Sequence, residues 1–252
     1  MKIRPGIELA NLSDIGLHRE DNEDYYCYVE PSDDREFQKK GRLAVIADGM
    51  GGHEGGQVAS RIAVETVRDF YLNDPIEDPA EALIAAFRTA HFAIQEFARE
   101  HPELEGMGTT CTAAAVREHE LFYGHVGDSR LYLIRDSTIA QLTDDHSYVG
   151  RLVREGVITP EQAAVHPERN VLLAALGMES AVPADFSTAP VALRPNDILL
   201  LCTDGLHGLV SDEELFGVAS SNPPGEASKE LVRLAKERGG FDNITLQILQ
   251  IK

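Results

Sequence analysis

The strongest constraint on the fold of this 252-residue chain is a set of apolar segments whose connecting turns are too short to hold a helix. Leu121 to Val126 and Arg130 to Ile134 are separated by only three residues, Gly127 to Ser129. A second short turn, Arg135 to Ser137, leads to a further short strand. Parallel neighbours need a crossover of a dozen or more residues, whereas short turns join antiparallel strands. These segments therefore predict an antiparallel meander.

The remaining periodic segments predict further strands and three amphipathic helices. The strands have continuous or alternating apolar runs and are Arg42 to Ala47, Thr110 to Val116, Ile198 to Thr203 and Ile244 to Ile251. The helices have apolar residues at helical spacing and are Gln57 to Leu72, Pro79 to Arg99 and Glu226 to Arg238. Since the helices are grouped instead of following every strand, the order favours a layered α+β domain over a doubly wound parallel sheet.

The sequence predicts one domain over residues 1–252. It contains no internal repeat, low-complexity tract or Gly/Ser-rich linker that would divide it. The segment from His146 to Pro190 differs from the rest, since it consists of short helical pieces interrupted by four prolines. We expect it to form an insertion or lid beside the site.

Composition limits the partners of the chain. With 42 acidic and 23 basic residues the formal net charge is −19, which makes nucleic-acid backbones and anionic membranes poor partners. No apolar run reaches the length of a signal peptide or membrane span, and the three cysteines lack CxxC spacing. The sequence thus predicts a cytoplasmic protein without a disulfide framework or a zinc site. An acidic protein that handles an anionic substrate needs cations, and bound divalent metal would supply them.

Four aspartates stand where predicted strands begin or end: Asp48, Asp128, Asp204 and Asp242. Each of them alone is an ordinary turn residue. Together they form a set of carboxylates that would repel one another unless protons or cations were bound between them. Oxygen ligands without accompanying Cys or His pairs favour Mg²⁺ or Mn²⁺ over Zn²⁺, and the absence of a DxDxDG loop makes Ca²⁺ less suitable.

The polar segment from Ser13 to Asp24 can complete such a site. Its acidic residues could extend the metal shell, and Arg19 offers a planar fork of donors that suits a phosphate. Taken alone, the segment is equally typical of a solvated charged turn.

Seven motifs then occur in a characteristic order: SDIGLHREDNED, VIADGMGGHEGG, GTTCTAAAV, GHVGDSRLYLI, LTDDHS, LCTDGL and DNIT. In these motifs the chain resembles the metal-dependent PPM or PP2C-like serine/threonine phosphatases, and especially their compact bacterial members. The resemblance runs from Ser13 to about Leu249. The resemblance implies a four-layer αββα sandwich, with two central antiparallel sheets flanked by helices and a flap over about residues 146–190.

The resemblance also implies an activity and its partners. The enzyme would hydrolyse phosphoserine and phosphothreonine in proteins with two Mn²⁺ or Mg²⁺ ions and a possible third. A hydroxide bridging two of the ions would attack phosphorus without a covalent enzyme intermediate. The protein would oppose a cognate serine/threonine kinase, act on that kinase and its substrates, and work as a monomer.

The same resemblance assigns the metal ligands. Asp48 would bridge two ions, and the carbonyl oxygen of Gly49 would help to hold one of them. Asp204 and Asp242 would complete the protein ligands of the first ion. Asp128 would hold the third, weaker ion together with Asp204.

The other site residues have less direct roles by the same resemblance. Glu23 and Asp24 would act through metal-bound waters, and Arg19 would bind the substrate phosphate. Met50 occupies the position of the histidine of eukaryotic members, and its side chain has no proton to give. His53 could donate a proton through water, and a purely structural role in its loop explains it equally well.

Two alternatives remain open from the sequence. Cys111 and Arg117 have the C-x5-R spacing of cysteine-dependent phosphatases, although the alanines between them are more typical of a buried strand. The chain could also be a catalytically inactive relative that only binds a partner, although such a protein would be expected to lose metal-ligating acids.

Overall fold

The computed structural model of the chain describes residues 3–51, 54–178 and 184–252. Its strands are β1 Ile7–Asp14, β2 Asp24–Val29, β3 Arg42–Met50, β4 Gly108–Thr109, β5 Cys111–Arg117, β6 Glu120–Val126, β7 Arg130–Arg135, β8 Thr138–Gln141, β9 Asp185–Phe186, β10 Val191–Ala192, β11 Ile198–Cys202 and β12 Ile244–Ile251. Its helices are α1 Asp34–Lys40, α2 Glu54–Asn73, α3 Pro79–Glu100, α4 Tyr148–Arg154, α5 Pro160–Ala164, α6 Asp204–His207, α7 Asp212–Ser221 and α8 Pro224–Glu237.

The strands form two antiparallel sheets in the described ranges. One sheet has the order β1-β12-β11-β7-β8. The other has the order β10-β6-β5-β3-β2, with β4 paired to β3 and β9 paired to β6. The first and last strands, β1 and β12, lie side by side over eight residue pairs, so the two ends of the chain share one sheet.

The sheets pack face to face, and helices cover their outer faces. In β3, Val45 packs with α2 and α3, whereas Ile46 faces the other sheet. In β11, Leu199 faces the space between the sheets, and Leu200 packs with α7 and α8. Strands that are buried on both faces need continuous apolar runs, which is the pattern of these segments. The predicted four-layer αββα sandwich is confirmed.

The predicted meander is wrong at one of its turns. β7 and β8 form the expected hairpin, but β6 and β7 belong to different sheets. The turn between them carries the chain from one sheet to the other, and Gly127 adopts a φ of 105° there. A Cβ atom at Gly127 would lie 2.5 Å from the side chain of Thr110, so glycine is required for this close approach. The edges of β6 pair instead with β5 on one side and with β9 and β10 on the other.

The predicted helices agree with α2, α3 and α8, with boundaries that differ by at most three residues. The Asp78 side chain caps α3 by accepting from the backbone N–H of Glu81, and Pro79 occupies its first turn. Strands β1 and β2 and helices α1 and α7 were not predicted. None of the helices in the described ranges combines the length and the apolar composition that crossing a bilayer requires.

Candidate active site

The ends of several strands bring the predicted acids to one end of the sandwich. β3 and β11 finish at this end, and β2 and β12 begin there. The crossing turn from β6 to β7 lies at the same end and carries Asp128. A cavity of about 700 Å³ opens between these chain segments.

Most of the predicted site residues line this cavity: Arg19, Glu23, Asp48, Gly49, Asp128, Asp204 and Asp242. Asp24 is not among the lining residues, because it is buried opposite Asp48 in the register between β2 and β3. His53 lies outside the described residues. Three residues of the predicted flap segment also line the cavity: Asn170, Leu172 and Met178.

Rigid backbone holds the carboxylate of Asp48. Its N–H donates to Thr110 Oγ1 at 2.9 Å, and its carbonyl oxygen accepts from the N–H of Thr110 and from Thr109 Oγ1 at 2.9 and 2.8 Å. The next residue, Gly49, is tightly packed, since a Cβ atom there would lie 2.0 Å from the carbonyl oxygen of Gly56. The end of β3 can therefore aim one carboxylate and one backbone carbonyl without loop movement.

The turn with Asp128 is tied to its neighbours by hydrogen bonds. Ser129 Oγ lies 2.8 Å from Thr110 Oγ1, which links the turn to the end of β3. His207 Nε2 lies 2.9 Å from the carbonyl oxygen of Asp128. Burial lowers the pKa of His207 to about 3, so the ring is neutral and its Nε2–H donates to that carbonyl. Since α6 begins at Asp204, His207 connects two of the predicted ligand-bearing segments.

Replacing His207 by leucine is expected to reduce the free energy of unfolding by about 1–3 kcal/mol, because the buried carbonyl of Asp128 loses its donor. Urea denaturation in the presence of chelator would measure the loss. His207→Gln is the matched variant, since its amide can still donate and its loss should be smaller. Equal losses in both variants would mean that this hydrogen bond does not stabilise the turn.

The N-terminal loop is held against the turn that precedes β12. Arg19 Nη2 donates to Asp242 Oδ2 at 2.7 Å in a half-exposed ion pair. The side-chain amide of Asn243 donates to the carbonyl oxygens of Ile15 and Asp21, both at 3.0 Å. These contacts keep the Arg19 guanidinium at the mouth of the cavity.

Two further acids are buried: Glu23 in the cavity wall and Asp24 behind it. Asp24 Oδ2 accepts from Thr203 Oγ1 at 3.0 Å. The backbone N–H of Glu23 donates to Asn243 Oδ1 at 2.9 Å, and a Cβ atom on Gly56 would lie 2.4 Å from Glu23 Oε2. Glycine at position 56 thus leaves room for the Glu23 carboxylate.

The aspartates have few compensating charges. Burial, followed by repulsion from neighbouring carboxylates, raises the pKa of Asp48 and Asp128 well above the ordinary value. Burial, with repulsion among the acids, raises the pKa of Asp24 to about 7 and that of Asp204 to about 6. Among the described residues, the buried Oδ1 atoms of Asp24 and Asp204 have no hydrogen-bond partner. Such a set of buried oxygens suits hard divalent cations.

The donors are gathered but are not arranged as a closed ligand cage. No three His, Cys, Asp or Glu side chains in residues 3–51, 54–178 and 184–252 stand in such an arrangement. Asp242 is paired with Arg19, whose Nη2 donates to its Oδ2 at 2.7 Å. The buried carboxylate oxygens fit the predicted metal centre in their chemistry.

The cysteine alternative does not fit the structure. Cys111 is completely buried against the helices that cover β5, and burial raises the pKa of its thiol. Cys111 and Arg117 are the two ends of one extended strand, which separates them by roughly 20 Å at about 3.3 Å per residue. A phosphate-binding loop would have to curl between these residues. Cys27 and Cys202 are free thiols as well.

Sequence reasoning missed several residues that support the site, namely Thr203, Ser129 and His207. The position of His207, three residues after Asp204 in a helical turn, was a usable signal, because it placed a donor near the same strand end. The contact of Thr203 with Asp24 links residues 179 positions apart, and local patterns carry no information about it.

Comparison with known proteins identifies the family. The family model for protein phosphatase 2C matches residues 29–224. The chain belongs to the protein phosphatase 2C family. The predicted resemblance is thus confirmed, and with it the assignment of this phosphatase to the serine/threonine protein phosphatases.

Relatives support this assignment over nearly the full chain. This phosphatase is 33% identical to protein phosphatase PhpP of Streptococcus pneumoniae over 97% of its own length and 98% of the relative. It is 37% identical to the serine/threonine protein phosphatase PstP of Mycobacterium tuberculosis over 97% of its length and 45% of PstP. A crystal structure of a PstP catalytic domain with two manganese ions has a TM-score of 0.84 and 35% identity, with 98% of both chains covered.

Proposed function

We propose that this phosphatase hydrolyses phosphoserine and phosphothreonine in proteins with two Mn²⁺ or Mg²⁺ ions bound at the end of the sandwich. One observation carries the proposal: acids from separate strands and turns face a single cavity with an arginine at its mouth. The PstP structure with two manganese ions supports the choice of metal.

Four residues would hold the two ions. Asp48 would bridge the ions, and the carbonyl oxygen of Gly49 would help to hold one of them. Asp204 and Asp242 would complete the ligands of the first ion. When bound, such ions lower the pKa of a coordinated water toward neutrality and neutralise charge on phosphoryl oxygens.

Three further acids would have secondary roles. Glu23 and Asp24 would act through water molecules, which is consistent with the buried position of Asp24 behind Asp48. Asp128 would hold a third, weaker ion together with Asp204. The hydrogen bond from His207 to Asp128 supports this pairing, because it fixes the two segments relative to each other.

Arg19 would bind the phosphate group of the substrate. Its guanidinium is half-exposed at the cavity mouth, and its planar donors match two phosphate oxygens. In the structure the guanidinium donates to Asp242 from Nη2 alone, which leaves its other N–H groups for the phosphate.

The leaving alkoxide of the substrate needs a proton. Met50 lines the cavity directly after Gly49, and its thioether carries no exchangeable proton. His53 therefore remains a prediction as a proton donor through water.

The cellular role would follow from this activity. The enzyme would reverse the action of a cognate serine/threonine kinase in the cytoplasm, as a monomer built from one domain with a flap over about residues 146–190. The net charge of −19 supports protein substrates over nucleic acids or anionic membranes.

Phosphate release from a phosphothreonine peptide tests the proposal. Activity is expected to disappear after treatment with chelator and to return with Mn²⁺, because the acids alone cannot activate water. Alkylation of thiols should leave activity within about twofold, since Cys111 is buried and its thiol has a raised pKa.

Other results would favour the alternatives. Loss of activity on alkylation together with resistance to chelator would restore the cysteine mechanism. A folded, Mn²⁺-loaded protein without activity on phosphopeptides would favour a relative that only binds a partner.

A further inference from the structure

Two large apolar side chains are exposed beside the catalytic cavity. Leu17 is 58% exposed and Phe241 is 60% exposed. His18 lies next to them and stacks on the Phe241 ring, with 5.2 Å between the ring centroids and 28° between the planes. Leu17, His18 and Phe241 together are called the apolar shelf below. His18 also lines the cavity, so the shelf and the cavity are continuous.

The shelf lies next to the proposed phosphate site. The loop from Leu17 to Arg19 runs beside the turn from Gly240 to Asp242. Contacts occur at each step: the Leu17 N–H donates to the Gly240 carbonyl at 2.8 Å, His18 stacks on Phe241, and Arg19 pairs with Asp242. The shelf therefore begins one residue away from the phosphate-binding arginine.

The Phe241 ring is fixed although it is exposed. A Cβ atom at Gly239 would lie 2.3 Å from the ring, so the ring lies directly over this glycine. Gly239 also has a φ of 125°, which side chains rarely tolerate. The contacts with His18 and Gly239 hold the ring in place before any ligand arrives, while 60% of Phe241 stays exposed. Such preorganisation reduces the entropy cost of binding.

A single exposed apolar residue needs no explanation, but two of them beside a reaction cavity, one with its ring stacked on a cavity-lining residue, are typical of a binding surface. Its neighbours Glu20 and Asp21 are exposed acids on the cavity rim, and they would repel an acidic ligand. The acids exclude an acidic side chain, and the exposed carbon surface of Leu17 and Phe241 is best covered by an apolar group.

We propose that the apolar shelf binds an apolar side chain that flanks the phosphorylated serine or threonine of a protein substrate. This inference rests on the proposed function, because it places the phosphate at Arg19. An extended peptide advances about 3.3 Å per residue, so a side chain one or two positions from the phosphorylated residue would reach the shelf. The shelf would thus select substrates without touching the reacting atoms.

Matched phosphothreonine peptides test this proposal. Each peptide carries leucine or serine at one of the two positions on either side of the phosphothreonine. The Mn²⁺-loaded enzyme is expected to prefer leucine at one position at least, by about tenfold in kcat/KM. Phe241→Ser should reduce this preference to about twofold, chiefly through KM, because the contact is made equally in the ground and transition states. Phe241→Leu should retain most of it.

Hydrolysis of p-nitrophenyl phosphate is the internal control, since this substrate has no flanking residues. Its kcat/KM should change by less than about twofold in Phe241→Ser. Ile84→Ser, at an exposed apolar residue in the first turns of α3, should leave both activities unchanged.

Three outcomes would overturn the proposal. The first is a wild-type enzyme that does not distinguish leucine from serine at any position. The second is an equal loss on peptide and p-nitrophenyl phosphate in Phe241→Ser, which would indicate damage to Asp242. The third is a folded wild-type protein without activity on either substrate, which would overturn the proposed function and, with it, the role of the apolar shelf.

Discussion

Replacing Asp48 by asparagine is expected to lower phosphatase activity by about 10³-fold or more. The proposed ions would supply several kcal/mol of transition-state stabilisation, and this is lost when their shared ligand is removed. The same variant should be more stable than the wild type in chelator at pH 8. Its amide removes a buried carboxylate whose pKa is raised by burial and by neighbouring acids. Steady-state kinetics with Mn²⁺ and thermal unfolding in chelator would measure the two effects.

Asp136→Asn is the matched control for this substitution. Asp136 lies in an exposed turn with a φ of 48°, a conformation that asparagine also tolerates. Both activity and stability should remain close to those of the wild type. An Asp48→Asn enzyme with near-normal turnover, or one without a gain in metal-free stability, would contradict the role assigned to Asp48.

In chelator, the free energy of unfolding is expected to fall as the pH rises from about 6.5 to 8.5. The folded-state pKa of Asp24, about 7, lies above its ordinary value of 3.8. The native protein therefore holds protons that the unfolded chain has already released, and their stabilising effect is lost as the pH rises through the folded-state value. Asp48 and Asp128, with pKa values raised well above the ordinary one, act in the same direction.

Buried histidines act in the opposite direction, but only at lower pH. Burial lowers the pKa of His125 to about 4 and that of His207 to about 3. In the unfolded chain they release their protons near pH 6.5, so above this pH they contribute little further slope. The window from pH 6.5 to 8.5 therefore reports mainly on the aspartates.

Mn²⁺ should raise the melting temperature more at pH 8.5 than at pH 6.5, because ionised carboxylates bind it without first losing protons. At a concentration about 100 times the dissociation constant the increase should be about 5–10 °C. Differential scanning calorimetry at both pH values would measure it. A larger increase at pH 6.5, or metal-free stability that rises between pH 6.5 and 8.5, would argue against a cluster of uncompensated acids.

The sequence predicted the central strands because both of their faces are buried. β11 is a continuous apolar run for this reason, and β12 is mostly apolar and almost entirely buried. β1 has mostly half-buried residues and was missed, since its pairing with β12 joins positions more than 200 residues apart. The short turn after β6 correctly predicted a change of direction, but it could not indicate which sheet the next strand joins.

The site was predictable to a similar extent. The pattern of an aspartate at the end of a buried strand predicted Asp48 and Asp204 as site residues, and the family resemblance supplied their proposed roles. The present contacts between them depend on tertiary packing: the Arg19 guanidinium meets Asp242 across 223 positions. Phe241 follows two glycines, and nothing nearby in sequence indicates its stacking on His18.

The most direct test of the proposed metal centre is anomalous diffraction at the manganese absorption edge from crystals grown with Mn²⁺. We expect two manganese peaks about 3.5–4 Å apart in the cavity. Asp48 should lie between them, and Asp204 and Asp242 should ligate one of them. Crystals of the Mn²⁺-saturated protein without manganese in this cavity, or with manganese bound only to surface carboxylates, would contradict the proposal.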